Sequence, residues 1–290
     1  MIHEHKLPPD VPSAEEIEAH TRKAVRESAP WVEALGRVGH AAHGGVYATV
    51  GLLAAQAALG VGGTTTDSEG VLAWIMEASF GRLLLDVMAA GLIGYAIWRF
   101  VQTIRDTEAK GTKPGGLLAR AGFAGSGIVY LSLAVSALQL SIGARQAADH
   151  DAAQEWTARL LNAPLGQSIV LVAGLVVLGV AVGQAYCAYQ AEFRQNITGN
   201  DMPRALQSFL VGLGRFGYAA RAVVFLIVGV FLIIAARAGD PGQARGFDGA
   251  LTTLAEQPFG PWLLLTAAVG LMAFGVFELA QARYRRMVIR

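Results

Sequence analysis

Apolar residues in this chain fall in long unbroken runs separated by short polar intervals. Uncharged stretches at 44–66, 121–144, 160–191 and 257–277 are each long enough to cross a bilayer, for which roughly 20 residues suffice. Two more runs carry charge: 83–101 contains Asp86 and Arg99, and 222–236 lies between Arg221 and Arg237. The pattern predicts six spans, at about 40–59, 82–101, 121–142, 166–188, 216–237 and 260–281. Ahead of them, residues 1–12 read as an unstructured tail. Ser13-Ala14-Glu15-Glu16 then has the hydroxyl and carboxylate spacing of a capping box, opening a polar helix to about Glu27. Ser28-Ala29-Pro30 suggests a restart, and Trp31, Val32 and Leu35 share one face, as in a surface helix leading into the first span.

The runs are organised by a threefold internal repeat, which reshapes any fold prediction. Gly36-Arg37-Val38-Gly39-His40-Ala41-Ala42-His43-Gly44-Gly45-Val46-Tyr47 is matched by Ala119-Arg120-Ala121-Gly122-Phe123-Ala124-Gly125-Ser126-Gly127-Ile128-Val129-Tyr130. It is matched again by Gly214-Arg215-Phe216-Gly217-Tyr218-Ala219-Ala220-Arg221-Ala222-Val223-Val224-Phe225. A second element also recurs, running from Gly70 to Phe80-Gly81 and from Gly249 to Phe259-Gly260, with Trp156, Leu160, Pro164 and Gly166 as a looser middle copy. Each reads as a short amphipathic helix at the membrane surface. In the even-numbered spans Gly91, Gly179 and Gly270 are each followed seven residues later by an aromatic: Trp98, Tyr186 and Phe277.

The unit is therefore two spans joined by a surface helix. Repeat 1 covers 35–112, repeat 2 113–205 and repeat 3 206–290, after a cytoplasmic tail at 1–34 that holds the short polar helix. A two-span unit always re-enters the membrane in the same direction. The expected fold is an all-α integral membrane protein: six transmembrane helices as three parallel two-helix repeats around an approximate threefold axis, with amphipathic surface helices on the outer side. An open arc of three pairs satisfies the same sequence.

Composition and charge agree with this class. Of 290 residues, 53% are hydrophobic and 16% charged, against about 25% charged in soluble proteins. Lys and Arg number 17 on the side of the termini and five on the other, which places both termini in the cytoplasm. The 35 glycines suit helices that approach closely in lipid. One cysteine, Cys187, excludes an internal disulfide and a thiolate cluster, and a net charge of +1 gives no reason to expect nucleic acid.

On a helical wheel one face of the motif is a seam of small residues, Gly44, Gly127 and Ala222, then Gly51, Ala134 and Gly229. Rings interleave with it: His40, Phe123 and Tyr218, then Tyr47, Tyr130 and Phe225. Val46, Val129 and Val224 fall on the opposite face, which reads as lipid-facing.

The candidate ligand site is built from Arg37, Arg120 and Arg215 at the helix starts, with His43, Ser126 and Arg221 beneath them and Tyr47 and Tyr130 alongside. The three arginines either hold topology at the membrane edge or gather around an anionic headgroup. The deeper positions are either a polar pocket or a hydrogen-bonded His43 beside a snorkelling Arg221. Asp86 is expected to pair with Arg82 on the same face, with a cation site as the alternative, and Glu278 to face the basic tail. No nucleophile–base pair, phosphate loop or metal motif occurs, and a haem would need a histidine from another span. No catalytic residue, metal or cofactor is expected.

The pattern Gly-Arg-x-Gly-[Tyr/Phe/His]-Ala-x-[Arg/His]-Gly-x-Val-Tyr, three times over, and the ending Ala282-Arg283-Tyr284-Arg285-Arg286 resemble a bacterial membrane family named domain of unknown function 1206. The resemblance covers about residues 35–286 and implies three two-helix repeats in an inner membrane. It carries no established activity, and Ser126 and Ala222 depart from its pattern. The reading of function is a non-enzymatic membrane component that binds membrane lipids, another membrane protein or a second copy of itself. The alternative is a small-solute or ion permease with a site near the cytoplasmic ends of spans 1, 3 and 5.

Overall fold

The computed structural model describes residues 14–105, 111, 113–144, 152–191, 193–194 and 203–284. Among these there is no strand. Nine α-helices follow one another: α1 (Ala14–Leu59), α2 (Ser68–Met76), α3 (Gly81–Arg105), α4 (Pro114–Ser141), α5 (Ala152–Leu161), α6 (Gly166–Gln190), α7 (Arg204–Ala238), α8 (Phe247–Ala255) and α9 (Gly260–Tyr284). The tail at 1–12 lies outside the described residues.

Five helices, α3, α4, α6, α7 and α9, are long and apolar enough to cross a membrane. The first expected span, in α1, is not among them, because His43, Gln56 and three glycines dilute its aliphatic residues. The lead-in segments are also different from the expectation. α1 runs straight through Ser28-Ala29-Pro30 with no restart, although proline removes an intrahelical donor. α4 and α7 likewise begin before their arginines, so each lead-in is continuous with the helix it precedes.

The three short helices stand where the second recurring element is. Asp67 caps α2 by accepting the Gly70 N–H at 2.8 Å, and burial pushes its carboxyl above the usual range. Each short helix ends in a turn that only glycine can complete. A Cβ on Gly81, Gly166 or Gly260 would lie 2.4, 2.3 or 1.8 Å from a carbonyl oxygen of the preceding helix. Leu165 and Phe259 adopt left-handed backbone there, at φ 61° and 62°, a conformation disfavoured for residues bearing a Cβ. Phe80, Leu165 and Phe259, at the same repeat position, are all largely exposed.

The long helices pack in the order α4–α3–α1–α9–α7–α6. The junction between one unit and the next is used three times: α3 with α4, α6 with α7, and α9 with α1. The junction within a unit is used twice, α1 with α3 and α7 with α9. Among the described residues no comparable packing joins α4 to α6.

The seam of small residues lies in the between-unit junctions. A Cβ on Gly44 would meet the Gly275 carbonyl oxygen at 2.7 Å, and one on Gly51 the Ala268 carbonyl oxygen at 2.6 Å. Gly127 faces the Phe100 ring of α3, Gly229 faces Leu178 of α6, and Ala134 and Ala222 are buried. The opposite face is not uniformly lipid-facing. Val46 and Val224 are 1% and 0% exposed, while Val129 is 60% exposed. The reason is that this face also carries Gly39 and Gly217, seven residues earlier, and forms the within-unit junctions. Only in the middle unit is that junction open.

Candidate functional site

The repeated arginines, which lie inside their helices and not at the starts, serve the neighbouring helix. Arg120 donates from Nε to the Thr103 carbonyl at 2.8 Å and from Nη2 to that of Ile104 at 3.3 Å. Arg215 does the same from Nε to Ala188 at 2.9 Å and from Nη2 to Tyr189 at 3.0 Å. Both guanidiniums thus satisfy carbonyls at the C-terminal end of the preceding antiparallel helix, where the macrodipole favours a cation. Arg37 stands at the equivalent turn of α1, is exposed and is engaged as well. Arg120 and Arg215 are each held at a separate helix end.

The interior is where polar groups converge. His40 and His43 of α1 and Glu278 of α9 are 1%, 2% and 2% exposed. His40 Nδ1 is 2.7 Å from Glu278 Oε2, a charge-assisted hydrogen bond. His43 Nδ1 lies 3.2 Å from the same oxygen, at ion-pair distance but off the hydrogen-bonding line. Gln281 donates to Glu278 Oε1 at 3.1 Å. Glu278 therefore points into the helix arc and not toward the basic tail. Its helical phase, one turn after Phe274, decides this.

His43 Nε2 and the Tyr130 hydroxyl of α4 are 2.5 Å apart. The imidazole is boxed by rings: stacked on Tyr95 with centroids 4.8 Å apart, and edge-on to Tyr47 at 5.0 Å, Tyr130 at 4.8 Å and Phe274 at 5.5 Å. Arg99 of α3 donates to the Tyr95 hydroxyl and to Gln102 Oε1, and lies over the rings of Tyr95 and Phe123.

Arg221 of α7 differs from all of these. Its side chain is 7% exposed, and its guanidinium carbon stands 4.2 Å from the Phe274 ring centre, 4.6 Å from Tyr47 and 5.4 Å from Phe225. Its Nε is buried without a hydrogen-bond partner, and among the described residues no carboxylate pairs with it. Cation–π attraction of up to about 2 kcal/mol per contact when desolvated is set against the several kcal/mol that removing an ion from water costs. Arg221 has not snorkelled to an edge.

Of the expected site residues, the structure brings together His43, Tyr47, Tyr130 and Arg221. Ser126 bonds back to the Gly122 carbonyl of its own helix at 3.0 Å. Asp86 accepts from Ser141 Oγ at 2.6 Å and does not pair with Arg82, because the α3–α4 junction brings that hydroxyl closer. Sequence reasoning missed Tyr95, Arg99 and Glu278 as members of the cluster. The signal was present in the even spans: eight residues after Gly91, Gly179 and Gly270 come Arg99, Cys187 and Glu278.

The family model described as Domain of Unknown Function (DUF1206) matches three times, at residues 38–106, 121–191 and 216–285. The chain belongs to the DUF1206 family. Each DUF1206 match holds two long helices and the short helix between them, α1–α3, α4–α6 and α7–α9. The chain is similar to Uncharacterized protein YxxB of Bacillus subtilis (strain 168), with 36% identity over 265 residues, covering 91% of this chain and 95% of that one. No solved structure matches. The DUF1206 repeat thus contributes residues at fixed positions to one interior cluster, and it contributes them unequally. The middle copy supplies Ser126, Gly183 and Cys187 where the outer copies supply His43 or Arg221, Tyr95 or Phe274, and Arg99 or Glu278.

Proposed function

We propose that this protein is a six-span, non-enzymatic component of a bacterial inner membrane that binds an anionic ligand inside its helix arc, with Arg221 as the principal contact. The observation that carries the reading is the buried guanidinium of Arg221, ringed by Tyr47, Phe225 and Phe274 and left without a paired carboxylate. Glu278, the carboxylate in the same interior, is committed to His40 and His43. Two guanidiniums, Arg99 and Arg221, face that carboxylate, so the three charges sum to a net positive.

α1 is taken as the sixth span because it packs between α3 and α9, with Val46, Val50, Leu53 and Ala54 buried. The excess of Lys and Arg on the side of the termini supports a cytoplasmic location for both. Binding is preferred to permeation because Phe247 of α8 lies edge-on to Tyr47 and Phe225 and covers the cluster on the side of the short helices. The edge arginines Arg120 and Arg215 are occupied by helix carbonyls, which moves the headgroup site inward.

The test uses full-length protein in neutral detergent micelles. Phosphatidylglycerol and inorganic phosphate are each titrated while the unfolding midpoint is followed. At least one anion raises the midpoint of the wild type, and Arg221→Gln loses that rise. Equal responses from wild type and variant, or no response to either anion, would sink the reading.

A further inference from the structure

We infer that the flank between α4 and α6 is a lateral doorway for an anionic acyl lipid, whose chain lies along the unpacked glycines of these helices and whose headgroup reaches Arg221. This deepens the interior anion site proposed above and rests on it.

The doorway is visible by comparison of equivalent positions. In the first and third units a glycine two residues after the repeated arginine lets the two helices touch. A Cβ on Gly39 would lie 2.6 Å from the Tyr95 backbone, and one on Gly217 would lie 2.6 Å from the Phe274 backbone. Gly91 and Gly270 make the reciprocal approach, against the Cβ atoms of Ala42 and Ala220 at 2.7 and 2.3 Å. The middle unit has the same glycines, Gly122 and Gly179, and neither has anything within 4 Å. Gly125 and Gly183 are equally open. A close-packing seam is built into α4 and α6 and left unfilled.

What lies behind the opening is the polar interior. Tyr130 of α4 is an electrostatic neighbour of Arg221, and Cys187 of α6 is one of Tyr218, which stands three residues before Arg221 on α7. The face of α7 bearing Tyr218 and Arg221 therefore backs the space between α4 and α6. At the positions where the other units place Tyr95 or Phe274 and Arg99 or Glu278, this unit has Gly183 and Cys187, too small to plug the gap. Arg99, Tyr130, Tyr218 and Cys187 remain only half-buried, as expected of an interior that is not closed.

The chemistry of the two ends selects the occupant. Val129 on the Gly122 face and Val176 on the Gly179 face are each 60% exposed, so the doorway is apolar along its walls. The inner end holds an unpaired cation that is nine-tenths buried. A free anion would have to shed its hydration to pass such walls. A lipid offers an acyl chain to the seam and a negative headgroup to Arg221.

The experiment fills the seam without touching the cation. Full-length Gly122→Phe and, separately, Gly183→Phe are compared with wild type for phosphatidylglycerol binding by native mass spectrometry from neutral micelles. Gly212→Phe, at an exposed glycine of α7 with nothing within 4 Å, serves as the control. Both seam variants are expected to bind the lipid about tenfold more weakly, with the control unchanged and Arg221→Gln binding none. If the seam variants bind lipid like wild type while Arg221→Gln does not, the doorway is wrong and the anion site stands. If inorganic phosphate binds and phosphatidylglycerol does not, the occupant is a free anion and the inference is overturned. It is equally overturned if wild type is a dimer that Gly122→Phe converts to a monomer with lipid binding intact, since the flank is then an interface between copies.

Discussion

At the scale of single residues the interior contrasts a satisfied charge with an unsatisfied one. Glu278 holds His40 at 2.7 Å and His43 at 3.2 Å, so Glu278→Ala leaves two buried imidazoles without their anion. Leaving a buried polar group without its hydrogen-bond partner typically costs about 1–3 kcal/mol, and Glu278→Ala is expected to lower the denaturation midpoint in micelles accordingly. Arg221→Met should do the opposite. It replaces a buried cation lacking a carboxylate by an apolar chain of similar length among three rings, and is expected to raise stability in the absence of anion by about 1 kcal/mol. A protein that gains stability by losing this arginine is one in which the arginine is kept for a ligand. Wild-type stability exceeding that of Arg221→Met without added anion would argue against this. Arg221 was legible in the sequence as a deep ionisable group. Glu278 was not, because its partners lie in α1, 238 residues away, and only the α9–α1 junction reveals its direction.

At the scale of elements, the two-helix unit with its short joining helix could be read directly, since the spacing of Phe80-Gly81 and Phe259-Gly260 marks each turn. The continuous lead-ins could not. A proline at position 30 is a fair reason to expect a break, yet α1 passes through it. The valine face was also misplaced, because a face seven residues from a glycine can serve a second helix as readily as lipid. The corrected assignment makes one position predict opposite effects in different units. Gly39→Ala and Gly217→Ala would force a Cβ to 2.6 Å from backbone atoms of α3 and α9, so both are expected to destabilise by about 1–3 kcal/mol through overpacking. Gly122→Ala meets nothing within 4 Å and should be neutral or stabilising by about 0.5–1 kcal/mol through helix propensity. Unfolding midpoints of the three variants check this, and a large loss for Gly122→Ala would mean that α4 and α6 are packed in solution.

At the scale of the molecule, three copies of one unit produce an arrangement that departs from their symmetry. The order α4–α3–α1–α9–α7–α6 repeats the between-unit junction three times and omits one within-unit junction. The repeated arginines that first suggest a binding ring, Arg120 and Arg215, act as ties between successive helices. The buried charges reside in positions where the copies have diverged, Arg221 and Glu278 against Ser126 and Cys187. The most direct measurement is the lipid content of the full-length protein released from phosphatidylglycerol-containing micelles, by native mass spectrometry. The account predicts one retained anionic lipid on the wild type and none on an equally folded Arg221→Gln. Equal retention by the two proteins would contradict it.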